Sequence, residues 1–292
     1  MLFSLIGYLI SAYFYGIPFY YSFFFGSIAI AAISWIDDLF SVSFAYRLAV
    51  HSLTAMWVIY EIGYFNGLVL PFHPSLISLD YFGLLLTFLW IVWTINAYNF
   101  MDGIDGIAGT QAFTAVTFYL LVCFWWGIEG FPIFLAFILG SVVGFLVHNW
   151  PPAKIFMGDT GSSFLGFAFS VLPIMVYKNT APPQRMYLPI LAIIFIWPFI
   201  FDTVITFIRR AINREPVWQA HRSHLYQRMT NYGFRHLSIT ILYGVLSIIV
   251  STCALLWIKY QLDYLVLVGI VLVCALPVAL CYREVSDKTT TT

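Results

Sequence analysis

Several short polar stretches in this otherwise apolar chain carry residue types suited to phosphate and metal chemistry. NAYNFMDGIDG (residues 96–106) sets Asn96, Asn99, Asp102 and Asp105 at intervals of three. On continuous helix these four would share one face, and Gly103, Gly106 and Gly109 would let the backbone turn sharply and approach a ligand. Helix capping by Asp or Asn accounts for one of them more readily than for all four, and ionisable groups at membrane depth are costly and usually functional. WIDDLFSVSFAYR contains the adjacent pair Asp37 and Asp38. Neighbouring anions repel unless a cation sits between them or one takes up a proton; the plain alternative is a solvated helix end.

HNWPPAKIFMGDTGSS contributes Asn149, Lys154 and Asp159. A Gly-flanked Asp opening a helix lies beside free N–H groups that suit an oxyanion or a metal–phosphate group. GDTG alone is a common turn and gains weight from Asn149 and Lys154 upstream. The WPP between them predicts extended backbone holding Asn149 away from Asp159. RRAINREPVWQAHRSHLYQR (residues 209–228) is the long basic stretch. Arg209 and Arg210 read as a positive-inside anchor, whereas His221, Arg222 and His224 form a tight group suited to phosphate oxygens. His51, His73, His148 and His236 lack such company and read as packing or surface residues. Asp202 either partners a basic residue or lines the site.

Carboxylates spread over three loops and mixed with Asn suit a hard cation such as Mg²⁺, especially one shared with substrate phosphates. A carboxylate set, a basic phosphate clamp and a hydrophobic body fit an enzyme acting on phosphate esters at the bilayer surface. One substrate would be soluble and the other lipidic.

The elements that must position these residues are membrane helices. Of the 292 residues, 62% are hydrophobic and 9% charged, against about 25% charged in soluble domains. The apolar runs match the roughly 17–25 residues that cross a bilayer as helix. The expected fold is an all-α polytopic membrane helical bundle of about ten transmembrane helices: 2–16, 18–36, 48–66, 80–98, 107–126, 131–147, 161–177, 187–208, 239–258 and 264–282. MLFSLIGYLI lacks the basic start and cleavage site of a signal peptide and reads as the first span. One set of connections holds ten Lys and Arg, including Arg47, Lys154 and Arg209 to Arg228, and the other only Lys178, Arg185 and Lys259. This places the first set, both termini and all four polar motifs on the cytoplasmic side. Four distant segments on one side imply that the bundle brings their ends together. The zero net charge gives no case for nucleic acid. Cys123, Cys253, Cys274 and Cys281 lie in apolar spans without paired spacing and read as small hydrophobes. No repeat or linker divides residues 1–292, so one domain is expected, with a polar tail at 283–292 whose DKTTTT end reads as disordered.

In this order the motifs resemble the polyprenyl-phosphate N-acetylhexosamine-1-phosphate transferases, over almost the whole chain. The resemblance implies transfer of a sugar-1-phosphate from a UDP-N-acetylhexosamine to undecaprenyl phosphate, with UMP released and Mg²⁺ required, at the bacterial inner (cytoplasmic) membrane. By position, it makes Asp37 and Asp38 the family's aspartate pair, the first deprotonating or positioning the lipid phosphate. Asn96, Asn99, Asp102 and Asp105 are implied in nucleotide and metal-site geometry, and Asp159 as the Mg²⁺ ligand, with Asn149 in the same motif. The loop from His221 to Gln227 is implied to hold the donor's pyrophosphate and sugar. HRSHLYQR departs from the common H-x-H-H pattern and looks like the O-antigen branch using N-acetylfucosamine or N-acetylquinovosamine donors. Relatives usually carry a further N-terminal span and a basic, Gly-rich loop ahead of this chain's start, so a truncated or degenerate gene is an expectation beside the active enzyme. A transporter of ions or lipid-linked sugars is the rival class, and a homodimer is left open.

Overall fold

Glycine, proline and carboxylates interrupt the apolar runs, and the chain turns where they do. The computed structural model describes residues 1–215 and 223–290, with side chains described as far as 280. α1 (Leu2–Tyr15) ends at Gly16, whose φ of 72° lies in the left-handed region. α2 (Tyr21–Phe40) follows, and its free Tyr21 and Ser22 N–H groups donate to the Glu61 carboxylate at 2.9 and 2.6 Å. Glu61 ends α3 (Phe44–Glu61), so the return of one helix caps the start of another. A short antiparallel hairpin, β1 (Gly67–Leu70) and β2 (His73–Ser78), leads into α4 (Asp80–Met101). α5 (Ile107–Trp126) runs between Gly106 and Gly127, and α6 (Phe131–Asn149) carries Pro132 in its first turn, where a missing N–H is harmless.

α7 (Gly158–Lys178) is the axis of the bundle, buried at every position from Ser162 to Tyr177 and packed between α2 and α4. Gly166 permits this closeness, since a Cβ there would lie 2.8 Å from the Ile95 Cα and the Thr94 carbonyl oxygen. After a 3₁₀ turn (Gln184–Tyr187), α8 (Leu188–Ile194) and α9 (Trp197–Ile212) meet at a 59° bend. The Phe195 carbonyl at the bend accepts from Gln111 at 2.8 Å, and Gln111 accepts from Ser247 at 2.7 Å. The break is therefore satisfied by buried partners, as low-dielectric surroundings require. α10 (Leu225–Asn231), α11 (His236–Tyr260) and α12 (Asp263–Thr290) complete the chain.

The protein is an all-α, multi-pass membrane protein. Against the ten expected spans, the described residues hold seven helices long and apolar enough to cross, or eight counting the bent pair. The 14 residues of α1 rise only about 21 Å, and α3 dilutes its apolar character with Arg47, His51 and Glu61. The tail expected to be disordered continues α12 to Thr290. Residues 291 and 292 lie outside the described residues.

Candidate functional site

The acidic cleft is built where α2 ends, α3 begins, α4 ends and α7 begins. Asp38 serves the start of α7: its Oδ1 accepts from the Asp159 N–H at 3.4 Å and its Oδ2 from the Thr160 hydroxyl at 3.3 Å. A carboxylate at a helix N-terminus satisfies free donors and complements the dipole. Gly158 makes room for it, with φ of 66° and a would-be Cβ only 3.3 Å from Asp38 Oδ2. Asp37 faces the other way, 2.5 Å from Nη1 of Arg47. The same nitrogen lies 3.3 Å from Asp159 Oδ2. On the α4 side Asn99 donates to Ser162 Oγ at 3.2 Å, in the first turn of α7 beside Asp159. Asp102 completes the group. Burial, and then the negative charge of Asp159, push its carboxyl up to about 7. Asp37, Asp38, Asn99, Asp102 and Asp159 thus meet at one place. Arg47 joins them, although the sequence showed it only as one of the positive-inside charges.

Arg47 shows how the cleft accepts a cation, because one of its nitrogens reaches two carboxylates. Mg²⁺ commonly uses one or two carboxylates together with substrate phosphates and retained waters. Two convergent carboxylates therefore fit it. Among the described residues no three His, Cys, Asp or Glu side chains form an all-protein metal cluster.

A second group of residues ties the loops together. Asn149 is 4% exposed, accepts from the Gly106 N–H at 2.9 Å and donates to the Ile155 carbonyl at 2.7 Å. Its amide joins the DGIDG loop to the loop before α7. Lys154 N–H returns to the His148 carbonyl at 2.8 Å, so the WPPAK segment folds back on α6 and does not run extended. The Lys154 side chain is exposed. Asp105 accepts from the Ala153 N–H at 3.1 Å and lies 3.4 Å from His236 Nδ1. The expected shared face of Asp102 and Asp105 is absent, because α4 ends at Met101 and the next residues are not helical. Asp102 turns to the acidic cleft and Asp105 to the loop clamp. His236, read as isolated, has Asp105 as its partner.

Asp202 resolves as a partner of the fourth motif. It is fully buried and accepts from His224 Nδ1 (3.1 Å), the N–H groups of Leu225 (2.8 Å) and Tyr226 (3.2 Å), and the Tyr243 hydroxyl (2.7 Å). Tyr226 in turn donates to the Phe100 carbonyl at 2.9 Å and passes over Gly103, where a Cβ would lie 2.1 Å from its hydroxyl. His221 and Arg222 lie outside the described residues.

Beside the cleft a cavity of about 920 Å³ runs between α4, α8 and α9, walled by residues such as Leu86, Leu89, Trp90, Trp93, Ile193 and Phe207. Asn96, Arg210 and His224 also stand on its wall. Asn96 donates to the Val92 carbonyl at 2.7 Å and lies 3.4 Å from the buried His51. Nothing in the sequence pointed to this cavity.

The model of glycosyl transferase family 4 matches residues 20–177, which include the first three motifs. A probable undecaprenyl-phosphate N-acetylglucosaminyl 1-phosphate transferase of Bacillus subtilis is 28% identical over 250 residues, covering 83% of this chain and 69% of that protein. A phospho-N-acetylmuramoyl-pentapeptide-transferase of Listeria monocytogenes is 29% identical over 124 residues, covering 42% of this chain and 38% of that protein. The Staphylococcus aureus transferase of the same description is 32% identical over 122 residues, with the same two coverages. The chain thus spans under half the length of these two pentapeptide transferases.

Proposed function

The chain belongs to glycosyl transferase family 4, and on that premise we propose that it transfers an N-acetylhexosamine-1-phosphate from a UDP-sugar to undecaprenyl phosphate, releasing UMP. The sugar is GlcNAc or a 6-deoxy relative such as N-acetylfucosamine or N-acetylquinovosamine. The product starts a cell-envelope glycan such as lipopolysaccharide O-antigen. One observation carries this reading: an apolar cavity and a carboxylate-rich cleft adjoin at the C-terminal end of α4. A lipid chain fits the first, and a sugar nucleotide with a divalent ion fits the second.

In the direct displacement, an oxygen of the lipid phosphate attacks the donor phosphorus that bears the sugar. The bond between that phosphorus and the oxygen bridging to UMP breaks, and UMP departs with the electron pair. Asp159, with Asp37 beside it, would hold Mg²⁺, which supplies charge neutralisation on the two donor phosphates. Asp37 guides the lipid phosphate, and Arg47, once released from Asp159, adds positive charge where negative charge grows. Asp105 and Asn149 hold the two loops in register around the cleft. Asp38 is bonded to the start of α7, so phosphorylating it would cost the helix its cap; this disfavours an aspartyl-phosphate route through Asp38 and leaves one through Asp37 as the alternative to displacement.

Transporters place polar groups and broken helices together near the bilayer midplane. Here the carbonyl at the break is closed by Gln111, the buried Asp202 inside α9 is taken up by His224, Leu225 and Tyr243, and the carboxylates of the cleft lie at helix ends, which supports the enzyme. Purified full chain with undecaprenyl phosphate, Mg²⁺ and a series of UDP-N-acetylhexosamines should release UMP with one of them. No UMP from any of the series refutes the proposal.

A further inference from the structure

The acidic cleft occupies one end of the bundle. At the opposite end, where α1, α5 and α7 stop and α2 and α6 start, lies a separate pocket of about 400 Å³. Going beyond the transfer reading, we infer that this pocket binds the ammonium headgroup of a membrane phospholipid of the phosphoethanolamine class, with Glu129 as its counter-ion.

Three observations carry this. The first is a one-sided charge balance. The wall holds the C-caps of three helices, Gly16 of α1, Gly127 of α5 and Asn179 of α7. A helix ends in carbonyls that lack helical donors and in the negative pole of its dipole. Among the described residues nothing donates to the last carbonyl of any of the three, those of Tyr15, Trp126 and Lys178. The Glu129 carboxylate adds a full charge, and among the described residues it has no ion-pair partner. No Lys, Arg or His stands among the described residues of the wall. The helix starts at this end do not offset the balance. The first N–H groups of α2 go to Glu61, and the Phe131 N–H of α6 goes to the Glu129 carbonyl at 2.9 Å.

The second is shape. Gly130 brings the α5–α6 loop onto the α1–α2 loop, since a Cβ there would lie 2.5 Å from Ile17 Cγ2 and 2.7 Å from the Tyr15 carbonyl oxygen. Asn179 fastens the third wall by donating to the Tyr20 hydroxyl at 3.0 Å. The space between these fixed walls is far wider than a bare metal ion, which a single carboxylate would hold poorly. It suits an organic cation.

The third is the company the pocket keeps. Trp126 sets an indole on the wall, a partner for cation–π contact. Tyr13, Tyr15 and Trp125, which adjoin the wall residues in the chain, are exposed, and such side chains settle at the level of lipid headgroups. Lys178, next to Asn179, is exposed and stands ready for a phosphate. Carboxylate, carbonyls and indole for the ammonium, with lysine for the phosphate, match a zwitterionic headgroup. A primary ammonium fits better than a quaternary one, because only its N–H groups can donate to Glu129 and the helix-end carbonyls.

The test gives the detergent-purified full chain equal amounts of phosphatidylethanolamine, phosphatidylcholine and phosphatidylglycerol with identical acyl chains. Retained lipid is read by native mass spectrometry. Wild type should keep phosphatidylethanolamine over each of the others by about fivefold, the upper range for a solvent-accessible ion pair. Glu129→Gln, at an exposed side chain, should bring the ratio to within about twofold of unity. Ala181→Phe, which fills the pocket without altering charge, should do the same. Asp263→Asn removes an acid at the start of α12, outside the pocket, and should leave the ratio unchanged. No preference in wild type, a preference that survives both pocket variants, or an equal loss in Asp263→Asn overturns the inference. Displacement by an equal concentration of soluble glycerophosphoethanolamine overturns the assignment to a membrane lipid. Lipid retention is read without UMP release, so this inference and the transfer reading fail separately.

Discussion

Replacing Asn149 tests whether it holds loops together or touches substrate. Its amide is 4% exposed and bridges the Gly106 N–H to the Ile155 carbonyl. Asn149→Ala leaves both backbone groups without their partner. A buried polar group stripped of its partner costs about 1–3 kcal/mol, so the two together cost about 2–6 kcal/mol, reduced to the extent that water enters the loop. Asn149→Asp separates the halves of this sum. The carboxylate still accepts from Gly106 N–H, but its second oxygen faces the Ile155 carbonyl with no hydrogen between them. It should therefore be as damaging as alanine near neutral pH and milder when acid restores a donor. Thermal unfolding in detergent, followed by loss of soluble monodisperse protein, gives the stability order wild type, then Asp at low pH, then Ala. In the transfer assay both variants should lose turnover with little change in the KM for the sugar nucleotide. Wild-type thermal stability in Asn149→Ala combined with a raised KM for the donor would refute the positioning role and return the amide to the substrate.

Other outcomes follow from the same geometry. The Asp102 carboxyl is pushed up to about 7, by burial first and Asp159 second, above an unfolded value of about 3.9. It therefore stabilises the metal-free protein fully below about pH 4, and that contribution is lost as pH rises through about 7. Asp102→Asn should flatten this part of the pH–stability profile, and an unchanged slope would count against the assignment. Arg47→Gln removes the guanidinium that Asp37 and Asp159 share; it should lower the melting temperature without Mg²⁺ and enlarge the stabilisation Mg²⁺ gives, both read by thermal shift without substrates. Gly158→Ala meets a left-handed φ and crowds Asp38, so it should cost roughly 1–2 kcal/mol of stability and reduce turnover, whereas Gly140→Ala, in open space, should do neither.

Much of this site was legible because polar residues in a hydrophobic chain are expensive and therefore stand out. The aspartate pair, DGIDG and GDTG could be found from composition alone. Their division of labour could not. Whether Asp37 or Asp38 caps a helix depends on the approach of α2 to α7, some 120 residues later, and no local spacing encodes it. The period of three in NAYNFMDGIDG misled for a local reason, since Gly103 and Gly106 mark the end of the helix on which that period would matter. Tryptophan and prolines in HNWPPAK suggested extension, yet Asn149 supplies hydrogen bonds that close the segment into a turn. Asp202 was ambiguous because its partners, His224 and Tyr243, are 22 and 41 residues away. The bend at Phe195 had a sign in Pro198, but an unbroken apolar run concealed it. The cavity had none. Residues that face a lipid substrate and residues that face bilayer lipid are equally apolar, so hydropathy does not separate them.

α4 is the element that makes one site of these parts. Asn96 stands on the cavity wall and Asn99, nearly one turn on, bonds the residues that open α7. A turn of helix is about 5.4 Å, so a single rigid segment sets the distance between the apolar cavity and the acidic cleft. The helix is locked in turn by Gly166 of α7 against its backbone and by Tyr226 against the Phe100 carbonyl at its end. In the proposed transfer, two reactants of opposite character, one dissolved in the membrane and one in water, would otherwise meet only by chance across the interface. Fixing the separation of cavity and cleft through buried packing uses helix–helix contact to supply an orientation that neither has separately.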